Sequence, residues 1–295
     1  MLLVFAMAGC GPEQAPSTAD GTTPSPAPAA QLTTQGEPPA VNPIALTPTP
    51  IPTRTGPPPA YCNGKDASQR PPATVNTGPH GSFTNTGTRG VALTFDDGPD
   101  PVNTPKLLDV LAACGVKATF CMEGQKVVLY PDVVRRVYAE GHTVCNHSWR
   151  HIRQLGTYGQ PRIRRDLTDT NNAIHAIVPD AKISYFRAPG GAWTDDYLKV
   201  CADLGMTPIH WDIDPSDWQS EVYGYGPAMV NHIVHEVRTQ TRPGSIILSH
   251  DYQKPNTTEA YRILLPWLIS QFELIALPPG GLSTGGWRAA APEPS

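Results

Sequence analysis

The chain has 295 residues, of which 39% are hydrophobic and 16% charged, and its formal net charge is −4. This length accommodates one large domain or two small ones. The mild negative charge, without any block of lysine or arginine, excludes nucleic acid as the main partner, because such binding needs a strong positive field. No apolar run reaches the ~18 residues that a membrane-spanning helix needs.

Proline is unevenly distributed along the chain. It accounts for 34 of the 295 residues, and half of these prolines lie in residues 1–80. A segment rich in Pro, Thr, Ala and Gln cannot bury enough apolar surface to offset its ordering entropy, and its prolines favour an extended spacer. We therefore predict a disordered linker over 11–85, a globular domain over 86–280 and a flexible tail over 281–295.

The first ten residues form a short apolar segment that ends in Ala8-Gly9-Cys10. The segment resembles the end of a bacterial lipoprotein signal, in which small residues precede a cysteine that is lipidated. The resemblance implies a lipid on Cys10, which the linker would separate from the folded domain. We expect an extracytoplasmic protein, either a lipoprotein of the cell envelope or a secreted protein.

The six cysteines form no C-x-x-C pair, which argues against a cysteine zinc knuckle. In an exported protein two disulfides can form among the cysteines other than Cys10. The sequence leaves their connectivity open.

Short apolar runs alternate with helical patterns from residue 88 onward. Thr104 and Thr194 are predicted to cap two of the helices. Regular alternation of strand and helix indicates a parallel sheet. About seven repeats predict a distorted or incomplete (β/α) barrel, with a doubly wound open sheet as the alternative. The predicted strands cover residues 91–95, 117–122, 142–145, 183–186, 206–213, 245–249 and 272–277.

Polar residues with catalytic potential follow five of these strands. The carboxyl ends of the strands are where α/β barrels build their active sites, so we expect these side chains to meet. The residues concerned are Asp96 and Asp97, His147 and His151, Arg187, Asp214 and Asp217, and His250.

The segment His147–His151 places two histidines four residues apart. On one helical turn they would share a face and could bind one metal ion. Asp97 would complete a site with two histidines and one aspartate, which leaves a coordination position for water.

Five segments together resemble the ordered motifs of the NodB-type polysaccharide deacetylases, the fourth family of carbohydrate esterases. The resemblance covers about residues 88–277 and implies a distorted (β/α) barrel, in agreement with the strand pattern. The five segments are Thr94–Pro99 (TFDDGP), His147–His151 (HSWRH), Arg187–Gly191 (RAPGG), Asp214–Trp218 (DPSDW) and Ile246–His250 (IILSH).

The resemblance implies a metal site and an acid–base pair. Asp97, His147 and His151 would bind one divalent ion, expected to be zinc, with Co²⁺, Ni²⁺ and Mn²⁺ as alternatives. Asp96 would be the general base and His250 the general acid.

Further residues would support this chemistry. Arg187 would orient Asp96, and Asp217 would orient His250. Trp218 and Leu248 would form the walls of a small pocket for the acetyl methyl group. Gly190 stands where the family commonly has a tyrosine whose backbone N–H binds the oxyanion. Glycine keeps that N–H but lacks the ring, which opens one wall of the pocket.

The function expected from these residues is metal-dependent removal of acetyl groups from an N-acetylglucosamine polysaccharide, either peptidoglycan or a chitin-like polymer, by a monomeric enzyme. Two alternatives remain from the sequence: an O-deacetylating esterase of the acetylxylan type, and a wall glycan-binding protein without catalysis.

Overall fold

The computed structural model describes residues 78–282. Three parts of the chain lie outside the described residues: the lipoprotein-like segment 1–10 with Cys10, the predicted linker up to residue 77, and residues 283–295. Within residues 78–282, no helix is both long enough and apolar enough to cross a membrane.

Strands and helices alternate along the described chain. The strands are Val91–Asp96 (β1), Thr119–Met122 (β2), Thr143–Asn146 (β3), Tyr185–Phe186 (β4), Thr207–Pro208 (β5), Ile246–His250 (β6) and Leu274–Ile275 (β7). The helices are Asn103–Ala113 (α1), Gly124–Leu129 (α2), Pro131–Ala139 (α3), Gln160–Ile177 (α4), Asp195–Asp203 (α5), Ser220–Tyr223 (α6), Pro227–Gln240 (α7) and Pro255–Gln271 (α8).

The strands form one parallel sheet in the order β5-β4-β3-β2-β1-β6, and β7 pairs with β1. The order from β1 to β5 follows the chain in one direction, without the reversal of a doubly wound sheet. Isolated bridges continue the pairing beyond the two outer strands: Phe83 pairs with Ile209, Asn85 with Ser245, and Ile213 with Ile247. The fold is therefore a distorted (β/α) barrel, as predicted.

Strand β1 pairs with three other strands, β2, β6 and β7, and all six of its residues are buried. Its near-continuous apolar sequence is typical of a parallel strand that is covered on both faces. The largest hydrophobic cluster joins this strand to the apolar faces of α1, α7 and α8. This packing fixes the carboxyl end of β1, where two aspartates lie.

The two predicted helix caps have different outcomes. The hydroxyl of Thr194 accepts a hydrogen bond from the backbone N–H of Tyr197 at 3.3 Å, which confirms it as the cap of α5. The prediction for Thr104 is wrong, because this residue lies inside α1. The backbone N–H groups of the helix start donate instead to the carboxylate of Asp100.

The folded region begins before the predicted boundary at residue 86. Phe83 is 2% exposed and pairs with Ile209, and Asn85 pairs with Ser245. These contacts join residues N-terminal to the boundary to the barrel, so residues 78–85 belong to the folded domain and not to the linker.

A disulfide links Cys121 and Cys145, which are register partners on the neighbouring strands β2 and β3. Cys201 is free and buried in α5. Burial raises the pKa of its thiol, so it is an unreactive core residue.

Candidate active site

The candidate site lies at the carboxyl ends of four of the five strands that the sequence predicts. The fifth, β5, ends at Pro208, so Asp214 and Asp217 lie farther along the chain. Asp97, His147 and Arg187 directly follow β1, β3 and β4, and His250 ends β6. Asp97, His147 and His250 line a cavity of about 190 Å³, whereas Arg187 is buried behind it and contacts Asp96. The cavity is lined by Asp96, Asp97, His147, His151, Arg153, Gly190, Trp211, Asp214, Trp218, Leu248 and His250.

Three residues bring their ligand atoms within 4.8 Å of one another: Asp97, His147 and His151. Asp97 Oδ1 lies 3.4 Å from His147 Nε2 and 3.5 Å from His151 Nε2. The expected helical turn is wrong, because residues 147–152 form a loop. Ser148 and His151 adopt positive φ angles of 67° and 53°. This turn in the loop brings the second imidazole back beside the first.

The chemistry of these groups fits a divalent cation. Asp97 Oδ1 is buried and accepts no hydrogen bond. His147 Nδ1 is 2.9 Å from the carbonyl oxygen of Arg187, a contact that makes Nδ1 the protonated nitrogen and leaves the lone pair of Nε2 directed at Asp97. One carboxylate oxygen and two imidazole nitrogens with an open side form a ligand set typical of a catalytic metal site.

The charges of the three groups are strongly coupled. Burial would raise the pKa of Asp97, but the adjacent imidazoles of His147, His250 and His151 lower it below its ordinary value. Burial would lower the pKa of His147, whereas Asp96 and Asp97 raise it. Burial and the neighbouring His147 lower the pKa of His151 to about 4. The carboxylate of Asp97 is therefore ionised, and His151 is neutral at physiological pH.

Asp96 lies beside this triad in a buried ion pair. Its Oδ1 accepts a hydrogen bond of 2.7 Å from Nη1 of Arg187, and its Oδ2 lies 3.6 Å from Nε2 of His147. Arg187 also donates from Nη2 to the backbone carbonyl of His210 at 3.0 Å. The guanidinium is fully buried, so it fixes the orientation of the carboxylate.

A second pair joins His250 to Asp217. His250 Nδ1 lies 2.6 Å from Asp217 Oδ1, while the backbone N–H of His250 and the hydroxyl of Thr257 both donate to Oδ2. Burial would lower the pKa of His250, but the charge of Asp217 and its hydrogen bond raise it to about 9. The imidazole is therefore protonated at neutral pH.

The predicted pocket residues also lie at the cavity. Leu248 is almost fully buried, and Trp218 is half-exposed, with its indole N–H donating to Asp214 at 3.4 Å. Gly190 has φ 57° and ψ 23°, the left-handed region that favours glycine. A Cβ at this position would lie 2.6 Å from Nε of Arg153.

Sequence reasoning did not identify Arg153 or Thr257. Nothing in the sequence distinguishes Arg153 from other surface arginines, and Thr257 lies 40 residues from its partner Asp217. The structure places Trp211 at the cavity and buries Trp193 in the cluster around α5.

Comparison with known proteins identifies the family. The family model described as polysaccharide deacetylase matches residues 83–209. A chitooligosaccharide deacetylase of Sinorhizobium fredii is 41% identical over 181 residues, which cover 60% of this chain and 80% of that protein.

Two solved structures resemble the fold. The Bc1960 peptidoglycan N-acetylglucosamine deacetylase is 28% identical, with a TM-score of 0.62 over 69% of this chain and 93% of that chain. BA3943 from Bacillus anthracis, described as a pseudoenzyme of the same carbohydrate esterase family, is 26% identical, with a TM-score of 0.58 over 64% of each chain. The residues at the barrel mouth and these similarities agree with the resemblance found in the five sequence motifs, and the chain belongs to the NodB-type polysaccharide deacetylases, the fourth family of carbohydrate esterases.

Proposed function

We propose that this protein is a metal-dependent hydrolase that removes acetyl groups from N-acetylglucosamine residues of a polysaccharide. One observation carries the proposal. A metal-ligand set, a carboxylate oriented by Arg187 and an imidazole oriented by Asp217 open into the same cavity. Amide hydrolysis requires these three functions, because water is a poor nucleophile and an amine is a poor leaving group unless it is protonated.

Asp97, His147 and His151 would hold the cation, which we propose to be zinc. A divalent cation at this position supplies Lewis acidity, which polarises the acetyl carbonyl and makes water more acidic. His147 is held for this role by the backbone carbonyl of Arg187, at 2.9 Å from Nδ1.

Asp96 would take the proton of the attacking water. Its Oδ1 is occupied by Arg187, so Oδ2, which lies on the side of His147, is the oxygen that can accept this proton.

His250 would give its proton to the nitrogen of the leaving amine. With a pKa of about 9, it holds this proton at neutral pH, and Asp217 stabilises the charged imidazolium. The backbone N–H of Gly190 would stabilise the oxyanion, and Trp218 and Leu248 would enclose the acetyl methyl group.

The substrate we propose is peptidoglycan or a chitin-like polymer. The relative from Sinorhizobium fredii is a chitooligosaccharide deacetylase, and the Bc1960 structure is that of a peptidoglycan N-acetylglucosamine deacetylase. The similarity to a pseudoenzyme indicates that the fold alone does not guarantee turnover. In this chain the proposed base, acid and metal ligands are all in place, which favours catalysis over glycan binding alone.

We further propose that the protein acts outside the cytoplasm as a monomer, tethered to a membrane by a lipid on Cys10 or secreted. The disulfide between Cys121 and Cys145 supports export, because disulfides persist in oxidising compartments. Fractionation of cells expressing the wild type and Cys10→Ala tests the tether, since only the wild type should partition with membranes.

Acetate release from a panel of acetylated peptidoglycan, chitooligosaccharides and acetylxylan tests the function. We expect release from at least one of the two N-acetylglucosamine polymers, loss of release after chelation, and recovery with zinc. Release from acetylxylan alone would identify an O-deacetylating esterase. No release from any of the three, from a protein that contains metal, would contradict the proposed hydrolase.

A further inference from the structure

Arg153 directly follows the loop 147–152, which carries His147 and His151, and its side chain projects into the catalytic cavity. Its neighbours Ile152 and Leu155 pack into the hydrophobic cluster around α5, so the backbone at this position is fixed. The Arg153 side chain lines the cavity together with Asp97, His147 and other residues of the site. It lies across Gly190: a Cβ at that residue would be 2.6 Å from Nε and 3.0 Å from Cζ of the guanidinium. Because Gly190 has no side chain, there is room beside it for the guanidinium of Arg153.

The charge of Arg153 has no partner within residues 78–282, where its guanidinium takes part in no hydrogen bond or ion pair. The other charged groups of the cavity are already engaged. Asp96 is paired with Arg187, and Asp97 faces two imidazoles. Asp214 accepts hydrogen bonds from the backbone N–H of Ser216 and from the indole of Trp218. Arg153 is therefore an exposed cation that remains available to a ligand.

We propose that Arg153 is a specificity-determining residue that binds a carboxylate carried by the glycan close to the acetyl group to be removed. A guanidinium presents two parallel N–H donors that match a carboxylate. A neutral polymer offers no such partner, so the residue would favour an acidic acetylated glycan, such as one whose sugars carry lactyl carboxylates, over a neutral one. The inference rests on the proposed function, because it assigns the class of substrate to the same cavity.

The test uses one substrate in two charge states. A peptidoglycan glycan oligosaccharide without its peptides carries free lactyl carboxylates, and conversion of these groups to carboxamides removes the charge with little change in shape. Wild type should release acetate from the carboxylate form with a kcat/KM about tenfold higher, the size expected for one charge-assisted contact. Arg153→Gln should abolish most of this preference, Arg153→Lys should retain part of it, and 0.5 M salt should weaken it in the wild type.

Arg165→Gln is the matched control. Arg165 is an exposed arginine paired with Asp169, and it does not line the catalytic cavity. This variant loses the same charge and should keep the preference of the wild type.

Binding is measured separately by calorimetry in an Asp96→Asn background, so that the result does not depend on turnover. The carboxylate form should bind about tenfold more tightly than the carboxamide form, and the additional Arg153→Gln change should remove the difference. An equal loss with both forms would show that Arg153 serves the acetyl group instead and would overturn the proposal, as would an unchanged preference. If wild type binds the carboxylate form preferentially but releases no acetate from any glycan, the proposed function fails while the role of Arg153 stands.

Discussion

Asp96 and His250 are register partners on the adjacent parallel strands β1 and β6. Directly paired residues of neighbouring strands project toward the same side of a sheet, so this register places the proposed base and the proposed acid beside one cavity. Each has its own partner of opposite charge, Arg187 for Asp96 and Asp217 for His250. The two ion pairs hold the proposed base and the proposed acid in fixed orientations, and the pair with Asp217 keeps His250 protonated at neutral pH, as a general acid must be.

The alkaline limb of the pH–rate profile should belong to His250. Its pKa is raised to about 9, so the imidazole carries its proton below this pH and loses it as the pH rises through about 9. The rate on amide substrates should fall over the same range. Asp217→Asn removes the charge that raises this pKa, so the alkaline limb should move to lower pH. Profiles of kcat/KM for both proteins provide the measurement, and an alkaline limb that stays in place in Asp217→Asn would assign it to another group.

Replacement of His250 should affect substrates according to their leaving groups. The amine of an N-acetyl sugar must be protonated to leave, whereas an activated aryl oxide leaves without a proton. His250→Gln should therefore lower the rate on chitooligosaccharides by about 10²–10⁴-fold, and the rate on 4-nitrophenyl acetate by much less. Steady-state rates on the two substrates give the comparison. Equal losses would mean that His250 is not the acid.

Residues 78–85 should contribute to stability. Phe83 is buried and forms a parallel β-bridge with Ile209, which directly follows the outer strand β5. Loss of a buried phenylalanine side chain costs about 3–5 kcal/mol. A chain that begins at residue 86 should thus be less stable than one that begins at residue 78, and Phe83→Ala in the full chain should reproduce most of the loss. Urea unfolding of the three proteins measures this effect. A chain from residue 86 as stable as the chain from residue 78 would restore the boundary predicted from the sequence.

Much of the fold and most of the site could be predicted from the sequence, because the informative residues are close together in the chain. Strand β1 runs directly into Asp96 and Asp97, so its end and its chemistry are visible in one segment. The resemblance to the family then assigned roles to residues in separate segments.

Other features depend on contacts between distant residues. The pairing of Asp96 with His250 spans 154 positions and is set by sheet register. The loop that brings His151 back to His147 depends on positive φ angles at Ser148 and His151, which residue types alone do not reveal. The position of Arg153 across Gly190 follows from tertiary packing. Short strands such as β4 and β7 have too few residues for their periodicity to define their ends.

Gly190→Ala should be costly for two separate reasons. The residue has φ 57°, and a residue with a side chain in this left-handed region costs roughly 1–2 kcal/mol. The new methyl group would also displace the guanidinium of Arg153. The backbone alone should lower the free energy of unfolding by about 1–2 kcal/mol, and displacement of the Arg153 side chain should add to this loss. The same change in an Arg153→Ala background should keep the backbone cost but lose the steric contact. Urea unfolding of the wild type, Gly190→Ala, Arg153→Ala and the double variant separates the two effects. An unchanged stability of Gly190→Ala would show that neither effect is significant.

The last prediction separates Asp96 from Asp97, which are chemically alike and adjacent. Asp97 faces two imidazoles, whereas Asp96 is paired with Arg187. Asp97→Asn should weaken metal binding, because a neutral amide oxygen is a poorer ligand for a dication than a carboxylate, and excess zinc should restore part of the activity. Asp96→Asn should retain the metal but lose about 10²-fold or more in rate, without rescue by zinc. Elemental analysis and acetate release are measured on both variants. If Asp96→Asn purifies without metal while Asp97→Asn retains a full equivalent, the two roles are reversed.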